Sequence, residues 1–196
     1  MTIDFDALLS KFEDIADFEY EGRVFRTNAQ SIAPRAYLNI YYRAAVEEIQ
    51  KTIIESLGLP QDVREFYRTH NGANLFVGAI HIYGFLPPGQ LIERGDWRKR
   101  LPHNFIKINE EYFPDLILRN SLCLGSYGYD LSMVCVSRDT GEIICVEGSN
   151  FNRVRAKWGS FESWLTSEIV RLSNYFDSVG HRLVDIERTL PLSRAP

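Results

Sequence analysis

The stretch LPQDVREFYRTHNG, Leu59 to Gly72, sets a proline ahead of an apolar-periodic run and an Asn-Gly pair behind it. Val63, Phe66 and Tyr67 recur at steps of three to four, so they share one face of a helix. Pro60 suits the first helical position, where an N–H would have no intrahelical partner. Asp62 and Glu65 favour the positive end of the helix dipole. Asn71 and Gly72 both tolerate positive φ and are expected to stop the helix. The segment therefore reads as a punctuated structural helix rather than a catalytic motif, and the way the chain leaves it at Gly72 decides the fold class.

Downstream the pattern turns β-rich. LFVG (Leu75 to Gly78) and IHIYGFLP (Ile80 to Pro87) are apolar runs bounded by Gly and Pro, which predicts the first sheet strands. Pro87 to Phe105 has no clean period and reads as an irregular connection or short helix. Tyr112 to Gly128 passes through a turn into a strand around Leu122 to Leu124. Leu131 to Ser137 and Glu142 to Gly148, separated by Arg138-Asp139-Thr140-Gly141, predict a hairpin. Trp158, Phe161, Trp164, Leu165, Ile169 and Leu172 then predict a helix from Phe161 to Phe176, with Ser160 accepting from the Ser163 N–H as its cap. The residues beyond are less regular.

Upstream, Ile3, Leu8, Leu9, Phe12, Ile15 and Phe18 predict an amphipathic helix over residues 4–18. GRVF (Gly22 to Phe25) reads as a short strand and Asn28 to Pro34 as a loop. Leu38, Tyr42, Ala45, Ile49, Ile53 and Leu57 predict a long helix from Arg35, closed by Gly58. The expected organisation is an acidic helical extension over 1–34, one α+β domain over 35–176 and a tail over 177–196. That domain is an antiparallel sheet flanked by helices.

At 196 residues and 45% hydrophobic composition the chain suffices for one packed core. The net charge of −4 argues against a general nucleic-acid binder, which needs a basic face to neutralise phosphates. The acidity is local, since residues 1–21 hold seven acids against Lys11 and carry −6, leaving +2 for the remainder. A solvated helix face and a dock for a basic partner both fit that segment. No basic stretch followed by an apolar core opens the chain, and no run approaches the roughly 18 apolar residues of a spanning helix, so a cytoplasmic location is expected.

No residue pattern carries recognisable chemistry. Three cysteines, Cys123, Cys135 and Cys145, are an odd count at wide spacing, which makes neither a disulfide framework nor a metal knuckle, and they read as reduced core thiols. The histidines His70, His81, His103 and His181 lack the spacing that places two imidazoles on one helix face. GSYGYD (Gly125 to Asp130) lacks the Lys-Ser/Thr of a phosphate loop and reads as a turn into a strand. No catalytic residue, cofactor or metal is expected. ERGDWRKR (Glu93 to Arg100) sets Trp97 among Arg94, Arg98, Lys99 and Arg100; an ordinary loop with Trp97 tucked inward and a partner contact both fit it.

The ordered set LPQDVREFYRTHNGA (Leu59 to Ala73), YGF (Tyr83 to Phe85), GSYGYDLSMVCVSRDTGEIICV (Gly125 to Val146) and WGSFESWL (Trp158 to Leu165) resembles the SUKH superfamily over about residues 40–170. That superfamily contains fungal regulators of cell-wall glucan synthesis and many bacterial immunity proteins encoded beside toxins. The resemblance implies structural roles for Leu59, Pro60, Phe66, Asn71 and Gly72, with Gly128 and Asp130 near a turn and Phe161 and Leu165 facing the core. It implies a non-enzymatic domain that binds a protein, in the first reading a cognate toxin. An intracellular regulator or scaffold is the alternative, and an enzyme with a site in Pro87 to Leu118 a third. Aromatic and Arg residues on loops dominate interface energetics, so Trp97, Arg98, Tyr127, Tyr129 and Asp130 are the candidate partner anchors.

Overall fold

A computed structural model of the chain describes residues 5–8, 10–12, 16–20, 23–27, 39–43, 54–76, 78–86, 102–118, 120–148, 150–178 and 182–191. Among these, nine strands form one antiparallel sheet in which each strand lies beside its predecessor. They are β1 (Ala16–Tyr20), β2 (Arg23–Thr27), β3 (Asn39–Arg43), β4 (His70–Leu75), β5 (Ile80–Ile82), β6 (Ser121–Tyr127), β7 (Met133–Ser137), β8 (Ile143–Glu147) and β9 (Asn150–Trp158). Two helices flank the meander, α1 (Phe5–Leu8) before it and α5 (Phe161–Ser173) after it, and α2 (Gln61–Thr69), α3 (Phe105–Lys107) continuing into a π-helical turn over Ile108–Tyr112, and α4 (Pro114–Leu118) interrupt it. No described helix is long and apolar enough to cross a membrane. The α+β antiparallel architecture matches the expectation.

The opening stretch forms α2 with Val63, Phe66 and Tyr67 buried, although its ends differ from the expectation. Pro60 has ψ 156° and caps the helix instead of opening its first turn. The helix stops at Thr69, and Asn71-Gly72 lie inside β4. Asn71 still works as punctuation, because its side chain accepts from the Phe85 N–H at 2.7 Å and donates to the Phe85 carbonyl at 2.9 Å, extending the ladder. Gly72 has φ +88°, and a Cβ there would lie 2.6 Å from the Ile82 carbonyl oxygen. Only glycine fits that backbone.

Helix α5 begins at Ser160, whose hydroxyl accepts from the Ser163 N–H at 3.1 Å while Ser163 reciprocates to the Ser160 N–H. The Asp62 carboxylate joins the two helices at their N-terminal ends, accepting from the Val63 N–H at 2.9 Å and the Glu162 N–H at 3.2 Å. Phe66 packs on Phe161 with ring centroids 5.1 Å apart. Phe66, Phe161 and Trp164 share one core cluster with the buried residues of β6, β7 and β8. Six successive residues of β6, Leu122 to Tyr127, are buried, as in a strand covered on both faces. Strand β5 ends at Ile82, opposite Gly125. Past that end the buried Asn109 takes its place, accepting from the Cys123 N–H at 2.7 Å and donating to the Cys123 carbonyl at 3.0 Å.

The expected hairpin is present as β7 and β8, with Gly141 at φ +74° in its loop. Two expected helices are corrected. Residues 16–18 of the helix expected over 4–18 lie in β1, which pairs with β2. Ala16, Phe18 and Tyr20 also alternate at period two, and the ladder selects that reading over the helical stripe. Asn39–Arg43, within the helix expected from Arg35, form β3 between β2 and β4, as the β-branched and aromatic content of Ile40, Tyr41 and Tyr42 favours. Residues 44–53 of that expectation lie outside the described residues; Gly58, at φ +64°, does end the short helical turn before it. The last strand, β9, matches no expectation, although Val154, Ala156 and Trp158 alternate with Arg153, Arg155 and Lys157 at the period of a strand.

Candidate partner-binding surface

Of the five candidate anchors, Trp97 and Arg98 lie outside the described residues, and the other three take different roles. Tyr127 is a correction. It is fully buried on β6, where its hydroxyl donates to Glu168 Oε2 at 2.7 Å and accepts from Trp164 Nε1 at 3.2 Å, so it offers no contact surface. Tyr129 is 43% exposed and donates to Glu187 Oε1 at 3.0 Å. Asp130 is half-buried, and its carboxylate accepts from the Ser132 N–H at 2.9 Å and from Arg155 Nη2 at 2.6 Å.

The turn carrying Tyr129 and Asp130 links β6 to β7 and is tightly held. Tyr127 accepts through its carbonyl from the Leu131 N–H at 3.0 Å, and its own N–H donates to the Ser132 carbonyl at 2.8 Å. A Cβ on Gly128 would stand 2.0 Å from the Gly78 carbonyl oxygen, so a side chain there would push the turn off its neighbour. Leu131 sits at φ +60° with 65% of its surface exposed. A bulky apolar residue in the left-handed region, facing water, combines local strain with an unfavourable exposure.

Beside the turn, β9 presents Arg153, Arg155 and Lys157 at alternate positions, and each meets an acid. Arg155 reaches Glu147 at 3.2 Å as well as Asp130, Arg153 reaches Glu147 at 3.2 Å, and Lys157 reaches Glu142 at 3.6 Å. The exposed Lys157 pair contributes little in water. Arg155, flanked by two carboxylates that are themselves mostly shielded, fixes the turn on β8 and β9.

Beneath this surface the Glu168 carboxylate, also buried, gathers Tyr127 and Arg171. Arg171 donates to Glu168 through Nε at 2.9 Å and Nη2 at 2.6 Å, then to the Arg188 and Thr189 carbonyls at 3.2 and 2.7 Å. These bonds tie the C-terminal segment, with its 3₁₀ turn over Ile186–Thr189, to α5; Thr189 and Leu190 are buried. Arg182, Leu183, Val184, Asp185 and Arg188 line an open depression of about 430 Å³ there. Sequence reasoning passed over Glu168 and Arg171. Their signal was an acid set within the apolar stripe Leu165, Ile169 and Leu172, three residues before an arginine.

The thiols are core groups, as expected. Cys123, Cys135 and Cys145 are free and buried. Burial pushes the Cys145 thiol up to about 12, and the contact with Cys123 together with burial raises Cys135. Neutral thiols of this kind are poor nucleophiles. Among the histidines, His70 stacks on Phe66 at 5.3 Å, and His81 meets His103 edge-on at 5.6 Å. Among the described residues no group of His, Cys, Asp and Glu is placed to hold a metal ion.

The family model described as the SMI1 / KNR4 family (SUKH-1) matches residues 43–167, more than half of the chain. Neither a curated protein nor a solved structure matches. The matched range runs from the end of β3 into α5, so β1, β2, Glu168, Arg171 and the C-terminal segment lie beyond it.

Proposed function

Because the chain belongs to the SMI1 / KNR4 family (SUKH-1), we propose that it is a protein-binding domain that neutralises a cognate toxin by direct contact in the cytoplasm. The family match carries the reading, since proteins of this group bind protein partners and are generally non-enzymatic binding domains. A domain of this kind acts by covering its target's active site or an essential surface, which calls for rigid exposed side chains and no chemistry of its own.

The turn between β6 and β7 supplies such side chains. Tyr129 and Leu131 stand out of it, and the Asp130–Arg155–Glu147 ion pairs hold it in place before any partner arrives. Preorganisation of this sort reduces the ordering cost of association. The test is co-expression with each toxin encoded beside the gene. Restored growth together with co-purification of the pair is the expected result. Failure to protect against every neighbouring toxin, with no co-purification, overturns the reading, and capture of a non-toxic regulatory enzyme would move it to the regulator class.

A further inference from the structure

We infer that the depression over residues 182–188 receives an acidic segment of the protein partner, an inference that rests on the protein-binding function proposed above. Its lining offers two guanidinium groups, Arg182 and Arg188, around the 62%-exposed Leu183. Neither guanidinium makes a hydrogen bond or ion pair among the described residues. Of the neighbouring charges, Arg171 is paired with Glu168 and Arg155 with Asp130 and Glu147, while Glu187, still charged and outside the lining, turns its carboxylate to the Tyr129 hydroxyl. Asp185 is the single carboxylate in the lining, so the depression retains one net positive charge on a chain whose overall charge is −4. Two uncommitted guanidiniums beside an exposed leucine match carboxylates flanking an apolar side chain.

The segment is also held in shape. The Leu183 N–H donates to the Tyr175 carbonyl at 2.8 Å, Phe176 and Arg182 form an antiparallel bridge, and Arg171 grips the far end through the Arg188 and Thr189 carbonyls. The Tyr129 hydroxyl reaches Glu187, so the depression adjoins the exposed turn and forms one surface with it. A nucleic acid is the poorer fit, because the chain's net negative charge repels a polyanion while Leu183 gives a phosphate backbone nothing to bind.

The experiment titrates the full chain with the acetylated peptide amide Glu-Asp-Leu-Glu-Asp, its amide analogue Gln-Asn-Leu-Gln-Asn, and a single-stranded oligothymidylate, following the arginine side-chain N–H resonances. The acidic peptide is expected to shift the Arg182 and Arg188 signals and to bind about tenfold more tightly than its analogue, with affinity falling as salt is raised. The Arg182→Gln/Arg188→Gln double variant, checked for an unchanged unfolding midpoint, should lose that preference. Equal binding of both peptides, shifts confined to other residues, an unchanged double variant, or tighter binding of the oligothymidylate would each overturn the inference. The two proposals fail separately. A double variant that still neutralises the toxin fully removes the acidic dock and leaves the immunity role standing, whereas a wild-type chain that never protects removes the role while the peptide titration still judges the dock.

Discussion

The Tyr127 hydroxyl and the Glu168 carboxylate meet at 2.7 Å inside the protein, joining the interior strand β6 to α5. Arg171 shares the same carboxylate and reaches on to the C-terminal segment. Tyr127→Phe removes one donor and leaves Trp164 Nε1 without its acceptor, at an expected cost of about 1 kcal/mol. Glu168→Ala leaves the largely shielded Arg171 without its carboxylate, and about 3 kcal/mol is expected. Urea unfolding checks both. Glu168→Ala should also speed tryptic cleavage after Arg188, because the segment loses its clamp.

Asn71 and Gly72 hold β4 against the chain around Phe85. Asn71→Ala strips both bonds to the Phe85 backbone, leaving a half-buried N–H and carbonyl without their partner, for an expected loss of about 2 kcal/mol. Gly72→Ala meets a positive φ and the Ile82 carbonyl together, and a loss of at least about 2 kcal/mol is expected. Unfolding midpoints equal to wild type in either variant would show that this corner contributes nothing.

The buried acids set an alkaline limit on stability. Burial raises Cys145 to about 12 and raises Tyr127, Tyr67 and Tyr83 as well. In the unfolded chain thiols ionise at about pH 8.5 and phenols at about 10, so above those values the unfolded state releases protons that the folded state keeps. Stability from these groups is therefore complete below about pH 8.5 and declines as pH rises towards the folded values. Cys145→Ala, although it opens a small cavity, should close on wild type by about 1 kcal/mol between about pH 7.5 and 9.5. A constant gap across that range would exclude the thiol. A thiol reagent at neutral pH should label all three cysteines only on unfolding.

Tyr129 and Asp130 are neighbours with opposite expected phenotypes. Tyr129→Ala removes an exposed ring and one exposed hydrogen bond, so stability should stay within about 0.5 kcal/mol while partner affinity falls about tenfold. Asp130→Ala removes the acceptor of the Ser132 N–H and one carboxylate of Arg155, at an expected cost of about 1 to 2 kcal/mol. Equilibrium unfolding beside a binding titration separates them. Loss of stability in Tyr129→Ala, with affinity intact, would place the contact elsewhere.

Local chemistry in the chain determined α2, the β7–β8 hairpin and α5, because each rests on signals within one short segment. Val63, Phe66 and Tyr67 mark a face, Gly141 supplies the turn, and Ser160 with Ser163 closes a cap. The ordered blocks that those elements contain also carried the family resemblance, which the match over residues 43–167 bears out. Tertiary structure decided the rest. Ala16 to Tyr20 and Asn39 to Arg43 satisfy helical and strand spacing alike, and pairing with β2 and β4 selects the strand through hydrogen bonds that no local window contains. Packing likewise decided that Tyr127 is core while Tyr129, two residues on, is surface: Glu168 and Trp164 arrive from α5 to enclose the first ring, and the chain turns outward before the second.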